Sequence, residues 1–335
     1  MRVFCKKSIY LILFVTLVVS FFGFESFATS SKPYKIPFVI QYSLIEFFVP
    51  ARIGVLDATK EFGIDVDWLG PEDMSITGTI SIVETVLQQG IDGLVVQSGN
   101  AYEMLPVVTK AKEMGIPVIY TNQLQPIEGY DGFCGVDDFK AGEEMGKQAE
   151  RIFNEAGKEL EGKVAYLLDV PGSPRMEMRI KGAMDYLSKF PQLQNIGTYD
   201  GTITVEKGRE VVANLLTAHP DLNLIIAVAA SNLPAACLAV QEQNLVGDVV
   251  LIGMDLIPMS LQFVKEGVAQ AIIGQDPYGQ GYLPLKAIYE YLEFNKPIPK
   301  QIATEIEVVT KDNVDEIIAR ENKYLEQGTK LTTKE

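Results

Sequence analysis

IDGLVVQSGNAYEMLPVVTKAKEMGIPVIY, residues 91–120, reads as strand, helix, strand. The segments 91–97 and 116–120 are dense in Val, Ile and Leu without strict alternation, as expected of strands covered by helices on both faces. Between them a helix near 102–114 runs to Gly115, where a left-handed cap is wanted. Two such strands joined by a helical crossover make a parallel βαβ unit. Upstream the pattern continues with a strand at 37–41, a helix at 47–62, a strand at 64–68 and a helix through 81–89, with Gly63 and Gly90 closing the helices. Downstream a short strand at 132–136 restarts it. A helix follows with Phe139, Gly142, Gly146, Ala149, Ile152 and Phe153 on one stripe. Strands at 163–168, 196–199, 224–228, 249–252 and 269–274 then alternate with helices near 174–190, 205–218, 233–243 and 278–294. No low-complexity linker divides the halves. The expected fold class is therefore α/β, two doubly wound, Rossmann-like lobes joined by several short crossings. Such crossings form a hinge and leave a cleft at the carboxyl ends of the strands.

The first residues stand apart. Arg2, Lys6 and Lys7 precede an almost wholly apolar run from Ile9 to Phe22, and small residues follow at Ser26 and Ala28. That layout is a secretory signal peptide, expected over residues 1–28 with cleavage after Ala28. The run is shorter than the roughly 20 apolar residues that a spanning helix needs. Cys5 lies ahead of it and cannot be a lipid-bearing cysteine. An extracytoplasmic protein, periplasmic or secreted, free of the membrane after leader cleavage, is the expectation. Residues 1–28 carry three basic residues and one acidic one, so the remainder has a formal charge of −17 rather than −15. An acidic body of this kind repels nucleic acid and anionic lipid. The remaining length, about 307 residues, exceeds one ordinary core and suggests two domains.

Chemistry is scarce. Only Cys134 and Cys237 follow the leader, in different units, so a disulfide framework is not expected, although a single bridge between them is left open. The one histidine, His219, precedes Pro220 and Asp221 at a helix end and suits a structural role. No metal site and no cofactor are expected. There is no G-x-G-x-x-G opening a helix, no G-x-x-x-x-G-K and no G-x-S-x-G, so nothing points to an enzyme.

Asn214–Asp221 (NLLTAHPD), Val250–Asp255 (VLIGMD) and Ile272–Pro277 (IIGQDP), with Phe47-Phe48 and Gly135–Asp137 (GVD), resemble in order and spacing the type I periplasmic solute-binding proteins of the ribose-binding group. Asp65–Pro71 (DVDWLGP) and Leu233–Ala236 (LPAA) are more similar to the rhamnose and autoinducer-2 branch. The resemblance implies three crossings between lobes, near 136–137, near 275–276 and around 304–306. One lobe would hold residues 33–136 and 276–304, the other 137–275 and 305–335.

It also implies a ligand site. Phe47 and Phe48 open the first helix at the cleft mouth, where rings suit the apolar faces of sugars. Trp68 ends a strand and either faces ligand or packs. Asn122 follows the fourth strand, where ribose binders carry Asp; it either grips hydroxyls or caps a turn. Gln123 stands where they use Arg. Arg179 matches an arginine that holds sugar hydroxyls, its fork of donors suiting adjacent oxygens. Asp255 ends a hydrophobic strand and is favoured as a ligand contact over a helix cap. Gln275, at a crossing, either touches ligand on closure or serves the hinge; Gln41 is a weaker candidate of the same kind. Leu44, Ile45 and Ala229 replace three asparagines of the ribose pattern. Unpaired buried hydroxyls cost about 1–3 kcal/mol each, so ribose itself is disfavoured. A deoxysugar, a furanose-like signal molecule or a less polar metabolite fits better. The implied function is capture of a small carbohydrate-like solute by a monomer that delivers it to the permease of an ABC importer. The alternative is an autoinducer-2-like receptor that signals to a membrane sensor or chemoreceptor.

Overall fold

The computed structural model describes residues 32–41, 46–99, 101–123 and 128–332. The leader, Leu44 and Ile45 lie outside them. Strands β1 (Phe38–Ile40), β2 (Trp68–Leu69), β3 (Leu94–Gln97), β4 (Val118–Thr121) and β5 (Gly132–Gly135) alternate with helices α1 (Val49–Phe62), α2 (Ile76–Gln88) and α3 (Ala101–Glu113). With β11 (Gln301–Ala303) they make a parallel sheet of order β11-β5-β4-β3-β1-β2. Neighbouring strand residues face opposite helix layers, as the two-residue period requires. Val39, Val96, Val118 and Tyr120 pack with α2 and α3, while Phe38, Val95, Ile119 and Cys134 pack with α1 and with α9 (Pro277–Phe294). This is why the strands read as apolar runs.

The second sheet repeats the plan. β6 (Gly162–Leu168), β7 (Leu193–Asp200), β8 (Leu222–Ala227), β9 (Val250–Met254), β10 (Ala271–Gly274) and β12 (Glu307–Val309) lie in the order β12-β10-β9-β8-β6-β7. Only β12 runs antiparallel. One face is covered by α4 (Asp138–Glu155) and α5 (Pro174–Leu187). The other meets α6 (Val205–Ala218), α7 (Asn232–Glu242), α8 (Pro258–Glu266) and the start of α10 (Val314–Thr332). The chain passes between the sheets three times, at 136–137 after β5, at 275–276 after β10, and at 304–306 between β11 and β12.

Helices α4 and α5 approach so closely that a Cβ on Gly142 would sit 1.9 Å from the Arg179 carbonyl oxygen, and one on Gly182 would sit 2.0 Å from that of Phe139. Both obstacles are backbone and cannot swing aside. Gly142→Ala is therefore expected to destabilise the protein by at least the ~1–3 kcal/mol of ordinary overpacking. A thermal melt reads this directly, and an unchanged midpoint would mean that the two helices can part freely.

Three local readings shift. Helix α2 begins at Ile76 rather than near 81, because the Ser75 side chain accepts from the Gly78 amide at 3.0 Å and caps it. The strand expected at 64–68 is Trp68–Leu69, with only an isolated bridge from Asp65 to Lys35 upstream. Finally, α10 lies beyond the last helix expected from sequence, at 278–294. It packs on α8 of the second layer system and on α1 of the first. Cys134 and Cys237 are free and fully buried, and burial pushes both thiols up. His219 ends α6 and its carbonyl accepts from the Leu222 amide at 3.0 Å. No helix among the described residues is long and apolar enough to cross a membrane.

Candidate functional site

A cavity of about 480 Å³ lies where the carboxyl ends of both sheets face one another. Gln97 closes β3, Asn122 follows β4, Asp169 follows β6, Ala229 and Ala230 follow β8, Asp255 follows β9 and Gln275 follows β10; all line it. Strand ends of this kind carry the ligand contacts of open α/β sheets. Phe47 and Phe48 form part of the wall, edge to face with ring centres 4.9 Å apart. They occupy a single 3₁₀ turn that leads into α1, where Pro50 sits early in the helix at no hydrogen-bond cost.

One chain of amides and carboxylate crosses the floor. Asn122 Nδ2 donates to Gln280 Oε1 at 2.9 Å, and Gln280 Nε2 donates to the Gln275 carbonyl at 2.9 Å and to Gln275 Oε1 at 3.3 Å. Gln275 Nε2 then donates to Asp255 Oδ1 at 2.5 Å. The chain thus runs from β4, through a crossing, to β9. Asn122 and Asp255 both sit at positive φ, 66° and 75°. Asn and Asp tolerate that region better than other non-glycine residues, and it turns each side chain off the strand end. Thr304 ties the crossings together, since its hydroxyl donates to the Gln275 carbonyl at 3.0 Å and its amide to that of Gly135 at 3.1 Å.

On the α5 side the wall carries charge. The Asp169 carboxylate accepts from Ser231 through Oδ2 at 3.2 Å, while its buried Oδ1 has no partner. Burial raises the Asp169 pKa. Arg175, in the first turn of α5, has a buried Nε without a partner; burial, with the nearby Arg179 charge, lowers its pKa. An acceptor and a donor, both buried and both unused, therefore line one side of the cavity. Buried polar atoms without partners are uncommon in native proteins and want an account.

Among the residues singled out in the sequence, Phe47, Phe48, Asn122, Gln123, Asp255 and Gln275 line this cavity together. Three do not. Trp68 stacks on Phe38 with ring centres 5.0 Å apart, in the packing role. Gln41 stands behind the wall, its Nε2 donating to the Met74 carbonyl and its Oε1 accepting from the Gly99 amide at 2.7 Å. Arg179, expected as a ligand contact, is 1% exposed and does not line the cavity, although its Nη2 is buried without a partner. Its Nε donates to Asp138 Oδ1 at 2.7 Å and its Nη1 to the Val228 carbonyl at 3.0 Å. Arg175, one turn nearer the helix start, reaches the cavity instead. Arg175, Asp169, Gln97 and Gln280 were not picked out from sequence; Pro174 at the head of α5 was the available signal, because it places residue 175 at a helix tip facing the strand ends.

Residues 36–296 match the family described as periplasmic binding protein domain. The xylose/arabinose-binding protein of Sulfolobus acidocaldarius is 26% identical over 299 residues, covering 84% of this chain and 72% of that one. The ribose import binding protein of Bacillus subtilis is 28% identical over 266 residues, 79% of this chain and 83% of that one. The crystal structure of an ABC transporter periplasmic solute-binding protein from Actinobacillus succinogenes, with bound D-allose, superposes with a TM-score of 0.76 at 26% identity, covering 85% of this chain and 100% of that one. Two largely parallel sheets, three crossings between them and a match over most of the length lead to one assignment: the chain belongs to the type I periplasmic binding proteins, ribose-binding-like and non-enzymatic.

Proposed function

We propose that the cavity holds one small, neutral, polyhydroxylated molecule, a sugar or sugar-like solute, and that the protein passes it to an ABC importer outside the cytoplasm. The observation that carries this reading is the pair of unpartnered buried atoms, Asp169 Oδ1 and Arg175 Nε, on a wall shared with Asp255 and facing the same hollow as Phe47 and Phe48. A hydroxyl donates and accepts at once, so neighbouring hydroxyls satisfy carboxylate and guanidinium together. An anionic ligand would meet two carboxylates, and a cationic one would meet Arg175 in a poorly solvated site. The rings take the C–H faces that a sugar also presents. Ala229 and Ala230 leave apolar wall where a hydroxyl would go unpaired, which favours a ligand with a deoxy or unsubstituted carbon there.

The topology supports a closing motion. In this reading the described residues of 33–136 with 276–304 make one lobe and those of 137–275 with 305–332 the other, and the two rotate about the three crossings. The ligand binds one lobe, and contacts from the other then favour the closed state; only this differential affinity drives the step. The membrane partner recognises the closed pair of lobes as a monomer.

Thermal melts with D-ribose, D-xylose, L-arabinose, D-allose, L-rhamnose, xylitol and autoinducer-2 test the ligand class. A bound compound at 100 times its dissociation constant adds about 2.7 kcal/mol and raises the midpoint by several degrees. No shift from any of them, at millimolar concentration, would remove the sugar assignment. Pull-down from membranes with saturating ligand separates an importer permease from a sensor.

A further inference from the structure

The last helix joins the two layer systems along its length. α10 is 19 residues long, so it spans roughly 28 Å. Its first turns are built into the second sheet's core, where Val314 and Ile317 are buried against Leu261 and Val264 of α8. Lys265 of α8 adds an ion pair to Asp315 at 2.8 Å. The later turns rest on the first layer system instead. Tyr324 stacks on Tyr278 of α9 with ring centres 5.8 Å apart, and Tyr278 in turn donates to Asp57 of α1 at 3.1 Å. A Cβ on Gly328 would lie 3.7 Å from the Cβ of Val49 at the head of α1. Leu325 and Glu321 share a small hollow with Phe47, Asp255 and Gln275, so the helix backs directly onto three cavity-lining residues.

Rotation of one sheet system against the other moves Tyr278 and Val49 relative to the anchor at Val314 and Ile317. The seam of Tyr324, Leu325 and Gly328 must then slide or part. A contact present at one lobe angle and absent at another biases the equilibrium between them. We infer that α10 is an interlobe strap, anchored in the second lobe and docking on the first, which holds the lobes toward the arrangement seen here even without ligand.

The test uses the ligand-free full chain, so it stands apart from the identity of the solute. Tyr324→Ala with Leu325→Ala removes the stack and the filling of the hollow. Amide exchange at Gln275, Asp276 and Thr304 should accelerate about tenfold, the order expected from loss of an aromatic pair and its apolar neighbour, and the radius of gyration should rise. Second, Val49→Cys with Gly328→Cys places two thiols at a Cβ separation within the ~3.5–4.5 Å of a disulfide. Oxidation should slow exchange at the same three amides, and reduction should release them. Protection in the second sheet, at Ile225 and Ile226, reports whether each variant is folded. Equal exchange at the crossings in wild type and the alanine variant would overturn the strap. If that variant fails to fold, equal exchange in the oxidised and reduced cysteine variant overturns it instead.

Discussion

Asp255→Asn should lower affinity for the proposed sugar ligand about 100-fold, because a carboxylate accepting from ligand hydroxyls would contribute about 1.5–3 kcal/mol for each charge-assisted bond. The substitution keeps the shape of the side chain and a residue type that tolerates the left-handed backbone at φ 75°. It removes one acceptor and the charge, and it sets an amide against Gln275 Nε2, which now donates to Asp255 Oδ1 at 2.5 Å. The ligand-free melting midpoint should move by only a few degrees, since the residue sits at a strand end rather than in a core. Isothermal calorimetry with the compound that gives the largest melting shift measures the effect. A change under threefold would show that Asp255 serves the crossing and not the ligand, and the polyhydroxylated reading would lose its strongest acceptor.

The contrast between Arg175 and Arg179 shows where sequence reading reaches and where it stops. Both are on α5, one turn apart, which is about 6 Å along the axis. Gly182 and Gly142 set how deeply α5 beds against α4, and that depth puts Arg179 beneath the cavity wall and Arg175 at its edge. Spacing along the chain carries no information about such depth. The central β-runs, by contrast, were legible because strands such as β1, β3, β4 and β10 are buried on both faces, so their composition alone declares them. Asn122, Asp255 and Gln275 were legible for a related reason: a residue directly after a parallel strand has only one place to point. Asp169 has the same placement after β6 and was missed because Val170 and Pro171 blur the strand's end. Gln280 was missed for another reason, lying inside a helix whose face toward the crossing is set by packing against β4 and β5. The charged, weakly apolar stretch of α10 offered no strand-like run, and its two anchors lie on different layer systems.

Arg179→Met should be the most destabilising of the substitutions considered, by about 3–5 kcal/mol, the range for removing one partner of a buried ion pair. Methionine keeps the apolar stem, so the loss isolates charge and hydrogen bonds from packing. Side-chain exposures of 1% for Arg179 and 9% for Asp138 place the pair away from water. Burial already raises the Asp138 carboxyl, and Arg179 is the main influence holding it down. Without Arg179 the folded-state pKa rises further above the unfolded value of roughly 3.9. The sign follows: the variant's penalty is largest at neutral pH, where the carboxylate is ionised and unpaired, and it shrinks as acidification protonates Asp138. Urea melts of wild type and variant across pH 4 to 8 should therefore converge toward the acid end, and Asp138→Asn in the Arg179→Met background should recover part of the loss at pH 7. Parallel curves at every pH would mean that the stem's packing, rather than the ion pair, holds α4, α5 and the end of β8 together behind the cavity.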